Sequence, residues 1–421
     1  MRALPQEFVS KLLATFQLVL VMFALTAYAQ TAAEESNSDS SSPSTPQEPP
    51  AEPVHGIYED RVVFGQSCAL EGLNQASGVG MRLGLLAAFK EINDQGGVHG
   101  RTIELKTLDD GYEPEKTIEN TLHLIEVEDV FSLIGAVGTP TSRAAVPLAE
   151  SHRVPYVGPQ TGAAFLRVNN PYVVNLRASY AQETEEMVSF LTQEGGTEKI
   201  AILYQDDSFG RAGYNGAKAA MERRGLRLLA AGVYRRNSLD VRTAVLDIRD
   251  CNPDAIIMIG SYQPSAEFIK WSRKIGMDAL FINISFVNSN ALAKALGDEG
   301  GGVMVSQVVP LPTGNMPLIA SSYRAALQKI DTEAKPQFIS FEGYLVGRLA
   351  IRGLEKAGRD LTRPKFLRSI RSMDNVEIGG FRLNYVDDNQ GSDQVFMTVL
   401  ANDGSYRAVK SLADITLPWR R

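Results

Sequence analysis

Cysteine is nearly absent from this sequence: Cys68 and Cys251 are the only two in 421 residues. A disulfide framework is therefore excluded, and a chain of this length can bury a sufficient core without one. Histidine is almost as scarce, and the four present (His55, His99, His123 and His152) show no metal-ligand spacing and no His-Glu-x-x-His pair. Metal chemistry has no foothold, and no metal or other cofactor is expected. Positive charge is also in deficit, with 42 Lys and Arg against 49 Asp and Glu, a formal net of −7 and no basic stripe. That argues against nucleic acid as a partner. Long apolar runs are missing beyond the N-terminus, so the chain does not read as a membrane transporter.

The one apolar run lies in residues 1–29, where Arg2 and Lys11 precede "LLATFQLVLVMFALTA" and Ala27-Tyr28-Ala29 forms a small-x-small site. This is the pattern of a cleaved secretory signal with the mature start at Gln30, which implies an exported protein. An uncleaved anchor is the alternative, although the segment is marginal in length and interrupted by Thr15 and Gln17. No cysteine follows the run, so a lipid-anchored start is unsupported. Residues 30–56, rich in Ser, Pro and Glu, have almost nothing to bury and are expected to be a disordered tether.

From Arg61 the chain alternates short β-rich runs with helical patterns. This is the signature of parallel sheets covered by helices on both faces. One series runs from "RVVFGQ" to "VPYVG", a second from "AQETEEMVSFLTQEGG" to "ALFIN". Two doubly wound α/β lobes are expected: 57–177 with 312–373, and 178–311 with 374–421. The chain crosses between them at "PYVVNLRAS" and "GGVMVSQVVPLP", and the late strands "FRLNY" and "QVFMTVLANDGSYRAV" are expected to close the second lobe. An internal repeat supports this division. "FSLIGAVGTPTSRAAVPLAESHRVPYVGPQ" and "DAIIMIGSYQPSAEFIKWSRKIGMDALFINIS" each hold an apolar strand, a glycine turn, a proline opening a helix, and another strand.

Open parallel sheets bind ligands at the carboxyl ends of their strands. Two such edges facing each other define an interlobe cleft. In the first lobe Thr139 is expected to cap a helix that Pro140 opens, with Gly135 and Gly138 keeping the approach bare. Such a start attracts an anion, although an ordinary strand-to-helix turn has the same pattern. Ser67 and Cys68 lie in the long turn after the first strand. Cys68 reads equally as a small buried hydrophobe. Glu342 and Tyr344 stand near the start of a later helix, where an N-terminal acid and a core aromatic are the plain alternative.

Enzymatic signals are weak. Gly78-x-Gly80-x-x-x-Gly84 does not directly follow a strand, as a dinucleotide fingerprint must. There is no Gly-x-Ser-x-Gly elbow and no clustered histidine base. The adjacent Asp109 and Asp110 should point to opposite faces of an extended run. No catalytic residues are assigned, and an enzyme is not expected. A scaffold role is disfavoured by the cleft repeat.

The segments "GMRLGLLAAFKEINDQGGVHGRTIELKTLDDGYEPEKT", "LIGAVGTPTSRAAVPLAE", "RVPYVGPQTGAAFLR", "KIAILYQDDSFGRAG", "PDAIIMIGSYQPSAEFIKWSRKIG" and "GGVMVSQVVP", in this order, resemble the extracytoplasmic solute receptors similar to leucine/isoleucine/valine-binding proteins. The likeness covers about Arg61 to Gly404. It implies the type I periplasmic binding fold, in which hinged lobes of a monomer trap a small molecule for an ABC permease or a membrane sensor. It also implies site residues. Thr139, beside Gly138, corresponds to the residue holding a ligand carboxylate; Gln160, Thr161 and Gly162 correspond to neighbouring binders; Phe209 and Tyr262 correspond to aromatic walls. Ser285 falls where amino-acid binders carry the acid that grips an ammonium group. Asp206 or Asp207 could replace that acid, or could simply favour the following helix. A small carboxylate, an amide or an aliphatic amino acid therefore all remain candidate ligands.

Overall fold

A computed structural model describes residues 55–168, 170–194, 196–314, 318–385 and 389–416. The expected leader, and the tether up to residue 54, lie outside the described residues. The tether's last two residues are tied down. His55 Nδ1 is 2.7 Å from Asp129 Oδ1, and the carbonyl of Gly56 accepts from Val63 N–H at 2.9 Å.

The first lobe runs β1 (Arg61–Cys68), α1 (Gln75–Asn93), β2 (Thr102–Asp109), α2 (Pro114–Glu126), β3 (Ser132–Ile134), α3 (Thr139–Ser151), β4 (Tyr156–Val157) and β5 (Val173–Val174). The second continues with α4 (Tyr180–Thr192), β6 (Ile200–Gln205), α5 (Ser208–Glu222), β7 (Ala231–Tyr234), α6 (Arg242–Arg249), β8 (Ala255–Ile259), α7 (Tyr262–Lys274), β9 (Leu280–Asn283), α8 (Ser289–Leu296) and β10 (Met304–Gln307). Helices α9 (Ile319–Ile330), α10 (Phe338–Ala357) and α11 (Arg363–Arg371) follow, then β11 (Val376–Ile378), β12 (Phe381–Leu383), β13 (Phe396–Leu400) and β14 (Tyr406–Ala408).

The first sheet has the order β2-β1-β3-β4-β5 and is parallel throughout. The second has the order β14-β13-β10-β9-β8-β6-β7. Its parallel part, β7-β6-β8-β9-β10, repeats the order of the first sheet, with β13 and β14 added antiparallel at the edge. The internal repeat is thus one topology used twice. Strands such as β8, buried at every position, are continuous apolar runs because helices cover both faces.

Helices α9 and α10 pack on α1 of the first lobe. At Gly84 the α1–α10 contact is so close that a Cβ would lie 1.9 Å from the carbonyl oxygen of Ser340. Near the first crossing the chain is stitched to a later segment: Asn175 N–H donates to Asn389 O (2.8 Å) and Ser392 N–H to Leu176 O (2.9 Å).

Two local expectations are corrected. Phe381–Leu383 does not join the second sheet but pairs with Val376–Ile378 in a separate hairpin, beside Ile319 of α9. And α3 is capped by Gly138, one residue before Thr139. Gly138 has φ 107°, a region that side chains rarely adopt, and a Cβ there would lie 2.3 Å from Tyr112 Cε2. Thr139 is consequently the first residue of the helix.

Candidate functional site

In each sheet the strand order reverses direction next to its first strand, between β1 and β3 and between β6 and β8. This is the switch point at which open α/β sheets leave a crevice. The turns leaving β3 and β4 on one side, and β6, β8 and β9 on the other, carry most of the candidate residues.

On the first lobe, Gly138 N–H donates to Gln160 O (3.3 Å) and Gln160 N–H to Ala136 O (2.7 Å). This stitching brings Thr139 against Thr161, with their hydroxyls 2.6 Å apart. Gln66 Nε2 donates to Gly135 O at 2.8 Å and fixes the turn from below. Gly162 O accepts from Tyr180 N–H at 2.8 Å, which places the Tyr180 hydroxyl beside Thr139 and Thr161. Both side-chain amide atoms of Gln160 are buried without a hydrogen-bond partner among the described residues. Such orphans cost free energy and are rare in folded proteins. Gly138, Thr139, Gln160, Thr161 and Gly162 are therefore brought together beside the Tyr180 hydroxyl, with the two unsatisfied amide atoms of Gln160 among them.

On the second lobe, Asp207 caps α5 through the N–H groups of Phe209 (2.8 Å) and Gly210 (3.2 Å) and fixes the Phe209 ring in the core. That ring is 4.4 Å from Phe286 and 5.4 Å from Tyr180; Phe286 in turn lies 5.9 Å from Tyr112 of the first lobe. Gln205 Nε2 donates to the Tyr112 hydroxyl (3.2 Å), and its Oε1 accepts from Tyr234 Oη–H (3.2 Å). Ser261 N–H donates to the same Tyr234 oxygen (3.0 Å), so Tyr262 begins α7 beside this network.

At the crossing between lobes sits a buried ion cluster. Arg177, with no exposed surface, places Nη2 3.0 Å from Glu183 Oε1 and Nη1 3.4 Å from Glu342 Oε1. Burial opposes its charge, but Glu342 and Glu183 outweigh that and hold it protonated. Ser285 contacts Arg177 through its hydroxyl and donates both its hydroxyl (3.0 Å) and its N–H (3.1 Å) to Glu183. Ser306 donates to Glu183 as well (2.7 Å). The Glu183 carboxylate thus has four donors. Glu342 faces Arg177 at the longer ion-pair distance, and burial raises its carboxyl against the pull of Arg177 and Arg167.

Ser67 and Cys68 belong to β1 itself and not to the turn after it, because the strand runs two residues further than expected, and they sit apart from these groups. Ser67 donates to Asp110 (2.8 Å) and accepts from Asn120 (3.2 Å). Cys68 is buried with its thiol directed to Gly78 O at 3.7 Å. Burial, followed by the charge of Asp110, pushes that thiol well above its ordinary range. Asp110 is itself raised to about 6 by burial, against the bonds it accepts from Tyr112, Ser67 and Thr117. Asp109 turns the other way and accepts from Leu70 and Glu71 N–H groups.

Reading the sequence missed Arg177, Glu183, Tyr180, Tyr112 and Gln205. The only signal for Arg177 was a charge inside the apolar crossing segment "PYVVNLRAS". A cavity of about 450 Å³ lies elsewhere, lined by Arg273, Leu280, Gly301, Leu400 and Arg407, and no candidate site residue borders it. Among the described residues no group of three or more His, Cys, Asp or Glu could hold a metal ion, and no helix is long and apolar enough to cross a membrane.

Two lobes of repeated topology with polar and aromatic turns meeting at their switch points define a two-lobed solute-binding protein. Comparison with known proteins sharpens this: residues 62–405 match the family model for periplasmic binding protein, and the chain belongs to that family. Its fold is that of the type I members of the leucine/isoleucine/valine-binding kind. A solved structure described as a possible leucine/isoleucine/valine-binding protein from Rhodopirellula baltica SH 1 is 34% identical, with a TM-score of 0.80, covering 86% of this chain and 98% of that one. A substrate-binding periplasmic protein from Ralstonia solanacearum is 26% identical at a TM-score of 0.78, covering 82% and 99%. Among curated relatives, Leu/Ile/Val-binding protein homolog 7 of Brucella abortus (strain 2308) is 26% identical over 204 residues, 46% of this chain. The match spans only half the length of that relative. The family consists of solute-binding proteins rather than enzymes.

Proposed function

We propose that the protein captures a small carboxylate-bearing solute between its lobes, after export to the periplasm by the N-terminal leader, and delivers it as a monomer to an ABC permease. The observation that carries this reading is the buried polar set facing the start of α3: the unpartnered Gln160 amide, with the Tyr180 hydroxyl beside the Thr139–Thr161 pair. A carboxylate placed there would accept from these donors and from the positive end of the helix. Phe209 and Tyr262 would wall the solute from the second lobe.

An α-amino acid is included in this class. Ser285, standing where a gripping acid would be, is bonded to Glu183, whose acceptor positions are filled. Glu342 keeps acceptor capacity and is the group that would take an ammonium. The names of the Rhodopirellula and Brucella relatives point in the same direction.

Calorimetric titration of the protein with a panel of amino acids and small carboxylates tests the reading. One member should bind saturably, and its affinity should fall about tenfold or more in Thr139→Ala, from the loss of one charge-assisted hydrogen bond. A bound solute indifferent to Thr139→Ala would place the site elsewhere. Loss of uptake of that solute in cells lacking the protein tests delivery to a permease.

A further inference from the structure

One turn of the first lobe reaches across the cleft and bonds the second lobe directly. It joins β2 to α2 and contains Gly111, Tyr112 and Glu113. Tyr112 has φ 64°, an uncommon conformation for a residue with a side chain, and its N–H is fixed to Asp110 Oδ1 at 2.9 Å. The turn so held directs three groups at the second lobe. The Tyr112 hydroxyl accepts from Gln205 Nε2 (3.2 Å), and the ring packs toward Phe286. The Glu113 carboxylate accepts from Arg236 Nη2 (2.8 Å) on one oxygen and from Asn237 Nδ2 (2.7 Å) on the other. Asn237 Nδ2 also donates to Gly111 O at 3.1 Å. Arg236 and Asn237 lie just beyond β7, after Arg235, and Asn237 has φ 52°, which asparagine tolerates better than most residues. Arg236 has Asp207 of its own lobe 3.7 Å away, so its charge is aimed from one side and received on the other.

We propose that the Gly111–Glu113 turn is an interlobe clasp that closes the two lobes by direct protein-to-protein bonds, so that the closed form is populated before any solute enters. A solute shifts an open–closed equilibrium only through its differential affinity for the two forms. A clasp that already favours closure lowers the shift the solute must supply, and its loss weakens apparent affinity by the factor through which the closed population falls.

The inference is separable from the identity of the solute, because its test uses ligand-free protein. Small-angle X-ray scattering is recorded for the wild type, Glu113→Gln, Arg236→Met, the double variant, and Arg211→Met. The last breaks an ion pair with Asp206 inside the second lobe and leaves the clasp intact. Thermal melting verifies that each variant is folded. Each clasp single variant should show a larger radius of gyration than wild type, the double variant should be no larger than the more open single, and Arg211→Met should match wild type. Folded single variants with the wild-type radius would overturn the clasp. So would a double variant whose opening is the sum of the singles, because the two residues would then act separately.

Discussion

The two strand-to-helix turns at the switch points occupy equivalent places in a repeated topology, yet they are built differently. In the first lobe the turn from Ile134 to Thr139 is held by main-chain bonds to Gln160 and ends in short hydroxyls. In the second, the turn from Ile259 to Tyr262 is held by a side chain, with the Tyr234 hydroxyl accepting from Ser261 N–H, and it ends in a ring. The first side presents the unpartnered Gln160 amide beside the threonine hydroxyls; on the second, Gln205 bonds Tyr112 and Tyr234, and Glu183 bonds Arg177, Ser285 and Ser306. On the proposed reading, identical connectivity gives one lobe that grips a solute and one that covers it. The division of labour resides in the side chains placed on the fold.

The largest way to break this contrast is through charge at the crossing. Arg177→Met removes a fully buried guanidinium and leaves Glu183 and Glu342 facing each other in the interior. A loss of about 3–5 kcal/mol in folding free energy is expected, measured by urea denaturation. A loss under about 1 kcal/mol would show that the covering side rests on its rings alone.

A somewhat smaller effect is expected from Asp110, on the gripping lobe. Its carboxyl titrates near 6 when folded against an ordinary 3.8, so between those values the folded state binds more protons than the unfolded one. Its burial cost is fully present above pH 6 and is relieved as pH falls toward 4, so this group makes the protein more stable on mild acidification, by up to about 3 kcal/mol. Asp207 and Glu342, on the second lobe and at the crossing, are raised by burial too and act in the same sense. Asp110→Asn should flatten the rise in melting temperature from pH 7 to pH 4. An unchanged profile would assign the pH response to the second lobe and the crossing.

These residues also show how far the sequence could be read. Alternation of strand and helix patterns, the repeat and the glycine-lined turn at Thr139 all follow from local chemistry, and the helix start was displaced by one residue because Gly138 alone fits the cap beneath Tyr112. The hairpin of Phe381–Leu383 was misplaced because its partner, Val376–Ile378, is too short to announce a strand. The ion cluster was illegible for a different reason: Arg177 and Ser285 are 108 residues apart, and nothing in either neighbourhood signals a partner at that distance. Tyr112 was hidden in "DDGYE", where the acids draw the eye and the ring crosses the cleft.

Binding measurements sharpen the contrast at finer scale. With a solute in hand, Thr139→Ala should cost about 1.5–3 kcal/mol of binding free energy. Tyr262→Ala should cost less, since it removes a wall rather than a charge-assisted bond. An equal loss in the two variants would mean that both lobes grip.

The smallest expected effect falls on Ser285. Its side chain donates to Glu183 at 3.0 Å, while its N–H, which Ala retains, donates to the same carboxylate at 3.1 Å. Ser285→Ala should therefore remove the hydroxyl's bonds to Glu183 and Arg177 and lower stability by about 1.5 kcal/mol, the low end for hydrogen bonds to charged groups. It should leave the affinity for solute unchanged, because the hydroxyl serves Glu183 and not the cleft. A tenfold fall in affinity without a matching fall in stability would mean that this hydroxyl turns to the solute when the lobes close on it. The covering side would then contribute a polar contact of its own, and the difference between the two lobes would be one of degree.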